Sequence, residues 1–434
     1  MTLRVLHPNL LIPVVVAFAA AVLVFSAIDQ ARLPAGETDD STSSRPRTTD
    51  DLIASLQVAA RNHPRDAGQL ALLADAYLQK VRETGDAGFY SRAAGVLERA
   101  RRIDPRDSSV YTGLGTLALA RHDFRAALRH GRRAHALAPA VVKPLGVLVD
   151  AQVELGRYDD AARTLQRMLD EKPSLSSYAR VSYFRELHGD LRGAVSAMRL
   201  AVSAGGAAPE NLAYVQSLLG GLELQRGRLG AARDAYRLAL NRFPGYAPAE
   251  VGLARVDAAG GRLAPAINRL RGVVNRLPLP EYVIALGETE LAAGRTAQAR
   301  RDLGLVRAEQ RLLAANRVNT DAELAVFEAD HGSPVRGAVL GRRAWRGAPS
   351  VRSADALGWA LTAAGSPRAG FAWARRALRL GSRDPLFLFH AGMSARAAGA
   401  RAEARRYLSR AVSLNRHFSP LHGPQAQRAL RGLR

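Results

Sequence analysis

The chain's ten histidines are the first residues to test for chemistry, because paired imidazoles can hold a metal or move protons. His130 and His135 are five residues apart, a spacing that aligns them poorly on one helix face, and no His-Glu-x-x-His zinc pattern occurs. His417 and His422 flank Pro420 in "RHFSPLHGP". A metal held by that pair would have no carboxylate beside it, and the stretch reads better as a structured tail packing on the last helix. The three lysines, Lys80, Lys143 and Lys172, lie outside any Gly-x4-Gly-Lys-Ser/Thr loop, and neither a Gly-x-Ser-x-Gly elbow nor a calcium loop appears. The absence of cysteine excludes disulfide frameworks, cysteine-ligated zinc, iron–sulfur clusters, thiol catalysis and lipoprotein-type lipidation. The expectation is a chain with no catalytic residues, no metal site and no cofactor, hence not an enzyme.

Charge is the next feature with chemical consequences. Sixty-two basic residues face 39 acids, a net charge of +23. The excess is uneven, since residues 301–434 hold 23 arginines against nine acids. Such a field favours anionic partners: lipid headgroups, acidic wall polymers, acidic protein tails or nucleic acid. A solvated arginine surface without a dedicated ligand competes with that reading.

The elements that must position any site begin with an apolar run. "LIPVVVAFAAAVLVFSAI" carries no charge, and residues 10–28 as a helix would span roughly 28 Å, close to a hydrocarbon core of about 30 Å. Arg4 precedes it and Asp29, Glu37, Asp39 and Asp40 follow, which by the positive-inside rule leaves residues 1–9 as a short cytoplasmic region and the rest outside. The run is longer than a usual signal core, which favours an uncleaved transmembrane anchor. Cleavage after Ser26, giving a secreted product, is the alternative. Residues 29–50 are polar and aperiodic, a flexible linker.

Beyond residue 50 the sequence repeats. Ala93, Ala127, Ala161, Ala194, Ala232, Ala266, Ala299, Ala338, Gly370 and Ala404 recur at intervals of 32 to 39 residues. Seven have a glycine five positions earlier: Gly156, Gly189, Gly227, Gly261, Gly294, Gly365 and Gly399. Glycine there can take positive φ and close a first helix. Small residues such as Gly115, Gly220 and Gly287 lie twelve before the anchor, large apolar ones such as Leu97, Leu165 and Leu270 four after, and Pro105, Pro139, Pro173, Pro244 and Pro278 twelve after. Small residues let antiparallel helices approach, large ones fill the gap beside them, and proline ends the second helix.

This pattern resembles the tetratricopeptide repeat (TPR) family, whose unit is a helix–turn–helix of 34 residues. The resemblance implies an all-α fold, an α-solenoid of about ten units over residues 65–416, preceded by one N-terminal transmembrane helix. Residues 51–64 form a lone helix before the array, and residues 417–434 a tail with a capping helix. The unit around Ala338 matches least well.

In that family the concave groove is lined by first helices and binds peptides or other proteins. The side chain just after each small first-helix residue should face the groove, as should the one three before it. Those positions give Asp150, Tyr183, Arg255, Glu288, Phe327, Trp359 and Met393, with Ala179, Ile284, Glu323, Asp355 and Phe389, and with Arg352 and Arg396 nearby. Phe327, Trp359, Phe389 and Met393 make an apolar stretch where a peptide with hydrophobic anchors and an acid would dock. The competing expectation is that these aromatics pack between repeats. The lysine/asparagine clamp that some members use for chaperone carboxylates is not present at these positions.

The function expected is therefore a protein- or peptide-binding scaffold or adaptor of unknown partner, tethered to the outer face of the cytoplasmic membrane. Two rivals stand beside it: a peripheral binder of anionic lipid or wall polymer acting through arginines, and a cytoplasmic nucleic-acid-binding helical repeat, which the membrane segment disfavours.

Overall fold

In this computed structural model, residues 48–206 and 208–433 are described. The expected cytoplasmic region, the membrane segment and the linker as far as residue 47 lie outside them. Among the described residues no helix is long and apolar enough to cross a membrane.

The packing follows from where the small residues fall. The nine anchor alanines and Gly370 are all buried, and each sits where a second helix meets a first. The described chain forms 22 helices and no strand. Helix α1 (Thr49–Asn62) leads into ten hairpins. The first five are α2 (Ala67–Thr84) with α3 (Gly88–Ile103), α4 (Ser108–Ala120) with α5 (Phe124–Leu137), α6 (Lys143–Glu154) with α7 (Tyr158–Glu171), α8 (Leu175–Leu187) with α9 (Leu191–Ala204), and α10 (Pro209–Gln225) with α11 (Leu229–Arg242). The next five are α12 (Ala247–Ala259) with α13 (Leu263–Arg276), α14 (Pro280–Ala292) with α15 (Thr296–Ala315), α16 (Asp321–His331) with α17 (Pro334–Gly347), α18 (Val351–Ala363) with α19 (Pro367–Ala377), and α20 (Pro385–Ala397) with α21 (Arg401–Leu414). Helix α22 (His422–Arg431) closes the array.

All seven glycines that precede an anchor by five residues have φ between 68° and 83°. In the second unit the same position is His122, which takes φ 56° without being glycine. That left-handed backbone is costly for a side-chain-bearing residue. Two side-chain contacts accompany it: Nδ1 donates to the Asn319 carbonyl at 2.8 Å, and the ring stacks on Phe124 at 5.6 Å.

The His122–Asn319 bond belongs to a seam. Each unit turns the chain slightly, and after about five units the array meets itself, so that the hairpin bends of the early units lie against the links between later ones. Arg125 donates to the Arg346 and Gly347 carbonyls, Tyr158 receives the Val351 N–H at 2.9 Å, and Asn415 donates to the Leu224 carbonyl at 2.7 Å. The backbones at Gly156 and Gly189 approach the carbonyls of Pro349 and Gly381 so closely that a Cβ on either glycine would collide with them. The solenoid is thereby wound on itself, and its first helices line much of an open cavity.

Candidate ligand cavity

The cavity has a volume of about 560 Å³ and is walled mainly by first helices from both sides of the seam. Six of the eleven tyrosines border it: Tyr90, Tyr183, Tyr214, Tyr236, Tyr246 and Tyr282. Its charged walls are Glu186, Glu281, Glu323, Asp355 and Asp384, opposed by Arg82, Arg255 and Arg352.

Two of these arginines are engaged by the protein. Arg82 pairs with Glu210 at 3.4 Å. Arg352 donates from Nε to the Tyr183 hydroxyl at 2.7 Å, and Tyr183 donates on to Glu154 at 3.0 Å. Burial works against the Arg352 charge, but Tyr183, Glu154 and Glu186 outweigh it and hold the guanidinium more firmly protonated than usual.

The carboxylates have neutral partners: Asp384 caps α20 by accepting the Leu386 and Phe387 N–H groups at 2.7 and 3.4 Å, and Glu186 takes a hydrogen bond from Gln225. Burial pushes Glu186 up to about 7, with Asp384 adding to the effect and Arg352 opposing it. Burial likewise pushes Glu281 up to about 7; Glu323 adds to that, while Arg255 and His122 oppose it. Glu323 and Asp384 are raised for the same first reason. Asp355 takes the His390 Nδ1 at 2.8 Å on one oxygen, while its other oxygen, buried at the wall, has no partner.

The positions expected to face a groove divide clearly. Tyr183, Arg255, Arg352, Asp355, Ile284 and Glu323 border the cavity. Asp150 is instead locked in a buried pair with Arg180, between α6 and α8. Glu288 is fully buried with His331 at 3.1 Å, and Phe327 lies in the core against α14. Trp359 and Phe389 are buried in the last units: Trp359 stacks on His390 and donates to Asp330 at 2.8 Å, and Phe389 stacks on His422 and meets Phe418. Met393 packs against the same core, while Arg396 is exposed. The tail and α22 cover the inner face of the last unit, so the apolar stretch is occupied by the chain's own C-terminal segment. Spacing did not single out Glu186, Glu281 and Asp384, which sit at helix ends and not one place after a small residue.

His422 shows what that covering costs. The ring is fully buried, neither nitrogen has a partner, and burial together with His390 and His331 holds it neutral, well below the ordinary histidine range. The unfolded chain gains a proton at this residue below about pH 6.5 and the folded chain does not, so stability is retained above that pH and declines as pH falls through it. Against the wild type, His422→Phe is expected to lose roughly 1 kcal/mol of the decline between pH 7.5 and 5.5. Urea midpoints at the two pH values check this, and equal declines in both proteins would refute it.

Among the described residues no group of three or more histidine, aspartate or glutamate side chains is arranged to hold a metal. The tetratricopeptide repeat family profile matches residues 118–181, from the end of α4 into α8. No curated protein matches the chain. Among solved structures, a thermophilic TPR protein of Thermus thermophilus is 22% identical, over 42% of this chain and 98% of that one, with a TM-score of 0.37. PilW, described as a widely conserved type IV pilus biogenesis factor, is 19% identical over 48% of this chain and 93% of its own, with a TM-score of 0.38. MamA is 18% identical over 39% and 91%, with a TM-score of 0.30. Residues 118–181 thus carry a tetratricopeptide repeat, set within an all-α array built from the same kind of helical hairpin.

Proposed function

We propose that the chain is a non-catalytic scaffold that receives a segment of a partner protein in the cavity lined largely by its first helices, and that residues 10–28 tether it to the outer face of the cytoplasmic membrane. The observation that supports the reading is the cavity: it is large enough for several side chains and lined by tyrosines, residues that give large, amphipathic contact area at low entropic cost. The arginine-rich exterior serves solubility and contact with anionic surfaces, a secondary role in this reading.

A photo-crosslinking residue at Leu218, on the cavity wall, is compared with one at Leu238, exposed on α11. In the native envelope, discrete adducts of a partner protein are expected from position 218 and not from 238, and should persist in high salt. Adducts from 238 alone, lost as salt rises, would instead identify a polyanion binder. A reporter that works only outside the cytoplasm, fused after residue 434, should be active; a silent one would remove the tether from the proposal.

A further inference from the structure

The whole chain and its cavity wall differ in their balance of acidic and basic side chains. Basic residues outnumber acids by 23 over the whole chain, yet the cavity wall presents five carboxylates and three arginines. One of those arginines, Arg82, is already paired with Glu210, a carboxylate that does not border the cavity. The excess of acid inside is therefore larger than the wall alone shows. Glu281 and Asp384 form no ion pair within 4 Å among the described residues, Asp384 being occupied on one oxygen by the N–H groups it caps; Glu186 shares Arg352 with Glu154, and the His122 ring lies 3.9 Å from Glu323.

A second observation, independent of the number of acids, points the same way. Asp355 is 4% exposed and borders the cavity, and one of its carboxylate oxygens has no partner. A buried acceptor without a donor costs about 1–3 kcal/mol unless something supplies one. The tyrosine faces add a surface that attracts cations through their ring quadrupoles. We infer that the cavity is a site for a cationic polypeptide segment, whose arginine or lysine side chains enter between Glu281 and Glu323 on one side and Glu186 and Asp384 on the other. The inference rests on the scaffold reading and names the chemistry of its partner. It reverses the acidic anchor expected from Arg352 and Arg396, because Arg352 is already surrounded by Tyr183, Glu154 and Glu186.

A chain of charge +23 repels cations from its outer surface, so binding of a basic probe would have to occur where the local field is negative. The groups facing Glu281 are Glu323, Arg255, His122, Tyr90 and Tyr282. A bound cation favours the ionised forms of these carboxyls, so binding releases protons and tightens as pH rises from 6 to 8.

The test is calorimetric titration of the full-length chain, in neutral detergent, with a blocked peptide carrying three arginines, its citrulline counterpart, and spermidine. The arginine peptide should bind, the citrulline peptide should not, and Glu281→Gln with Glu323→Gln should weaken binding at least tenfold. Neither glutamate has an ion pair with an arginine or lysine, so the double variant should fold as stably as the wild type, and Glu98→Gln on the outer surface should leave binding unchanged. No binding of the arginine peptide, or binding indifferent to the glutamine pair, would overturn the inference. Spermidine binding as tight as the peptide would overturn its polypeptide part. If the arginine peptide fails while position 218 still crosslinks a partner, the scaffold survives and the cationic ligand does not. If position 218 crosslinks nothing, the scaffold itself fails.

Discussion

Arg180→Met is expected to lower stability by about 3–5 kcal/mol, the cost of leaving one member of a buried ion pair alone. Arg180 donates to Asp150 through both Nε and Nη2, at 2.9 and 2.6 Å, and from Nη1 to the Ser176 carbonyl at 3.1 Å. Gly146 leaves room for the guanidinium, since a Cβ there would sit 3.1 Å from Cζ. Even with Arg180 beside it, burial pushes Asp150 up to about 6. Without the arginine the carboxyl must ionise in a low-dielectric site or take a proton, and either course costs stability. Replacing both partners, Arg180→Met with Asp150→Leu, should restore most of the loss, because two apolar side chains of similar volume need no solvation. Because the units are coupled mainly to their neighbours, the loss should be local. Hydrogen exchange should show α6 and α8 opening first in the single variant. An unchanged urea midpoint, or a double variant as weak as the single one, would show that the pair is not what holds these helices.

Asp150 also marks how far the sequence could be read. The repeat was legible because its determinants are local: an alanine that must be small, a glycine that must take positive φ, and a proline that must stop a helix all act within one unit. The seam was not legible, because its partners have no shared period. Tyr158 and Val351 are 193 positions apart, and their meeting depends on small rotations summed over several units.

The cavity was legible in part. Counting one place after a small residue, or three before it, selects the inner face of a first helix, which is why Tyr183, Arg255, Ile284, Glu323 and Asp355 were found. It says nothing about what lies on that face, so Trp359 and Phe389 were selected although the tail covers them. The acid–base balance of the cavity wall did have a signal, which a total charge averages away. Pro280–Ala292 holds Glu281, Glu288 and Glu290 with no arginine, whereas Pro334–Gly347 holds four arginines and no acid. Acids are thus concentrated on first helices and arginines on second ones, although of these three acids only Glu281 reaches the cavity, Glu288 meeting His331 and Glu290 meeting Arg271.

The seam makes the second large prediction, and it uses two glycines that differ in one respect. Gly156 and Gly261 both close a first helix with positive φ, at 68° and 77°. Around Gly261 no atom lies within 4 Å of an added Cβ, whereas at Gly156 the Cβ would collide with the Pro349 carbonyl oxygen. Alanine at 261 therefore carries only the left-handed backbone cost, about 1–2 kcal/mol. Alanine at 156 carries the same cost and must also push two backbones apart, which no side-chain rotation can relieve. It should lose about 2 kcal/mol more than the 261 variant, a typical cost of overpacking, or else open the seam. The two outcomes differ in solution scattering: an opened seam lengthens the solenoid and raises the radius of gyration, and Gly261→Ala leaves it unchanged. Opening would also part the walls that bring Glu186 on α8 towards Asp384 beside α20, so the basic peptide should bind more weakly to the 156 variant than to the 261 variant. Equal stability losses and equal radii in the two variants would mean that the units hold their curvature without the seam, and the cavity would then depend on the hairpins alone.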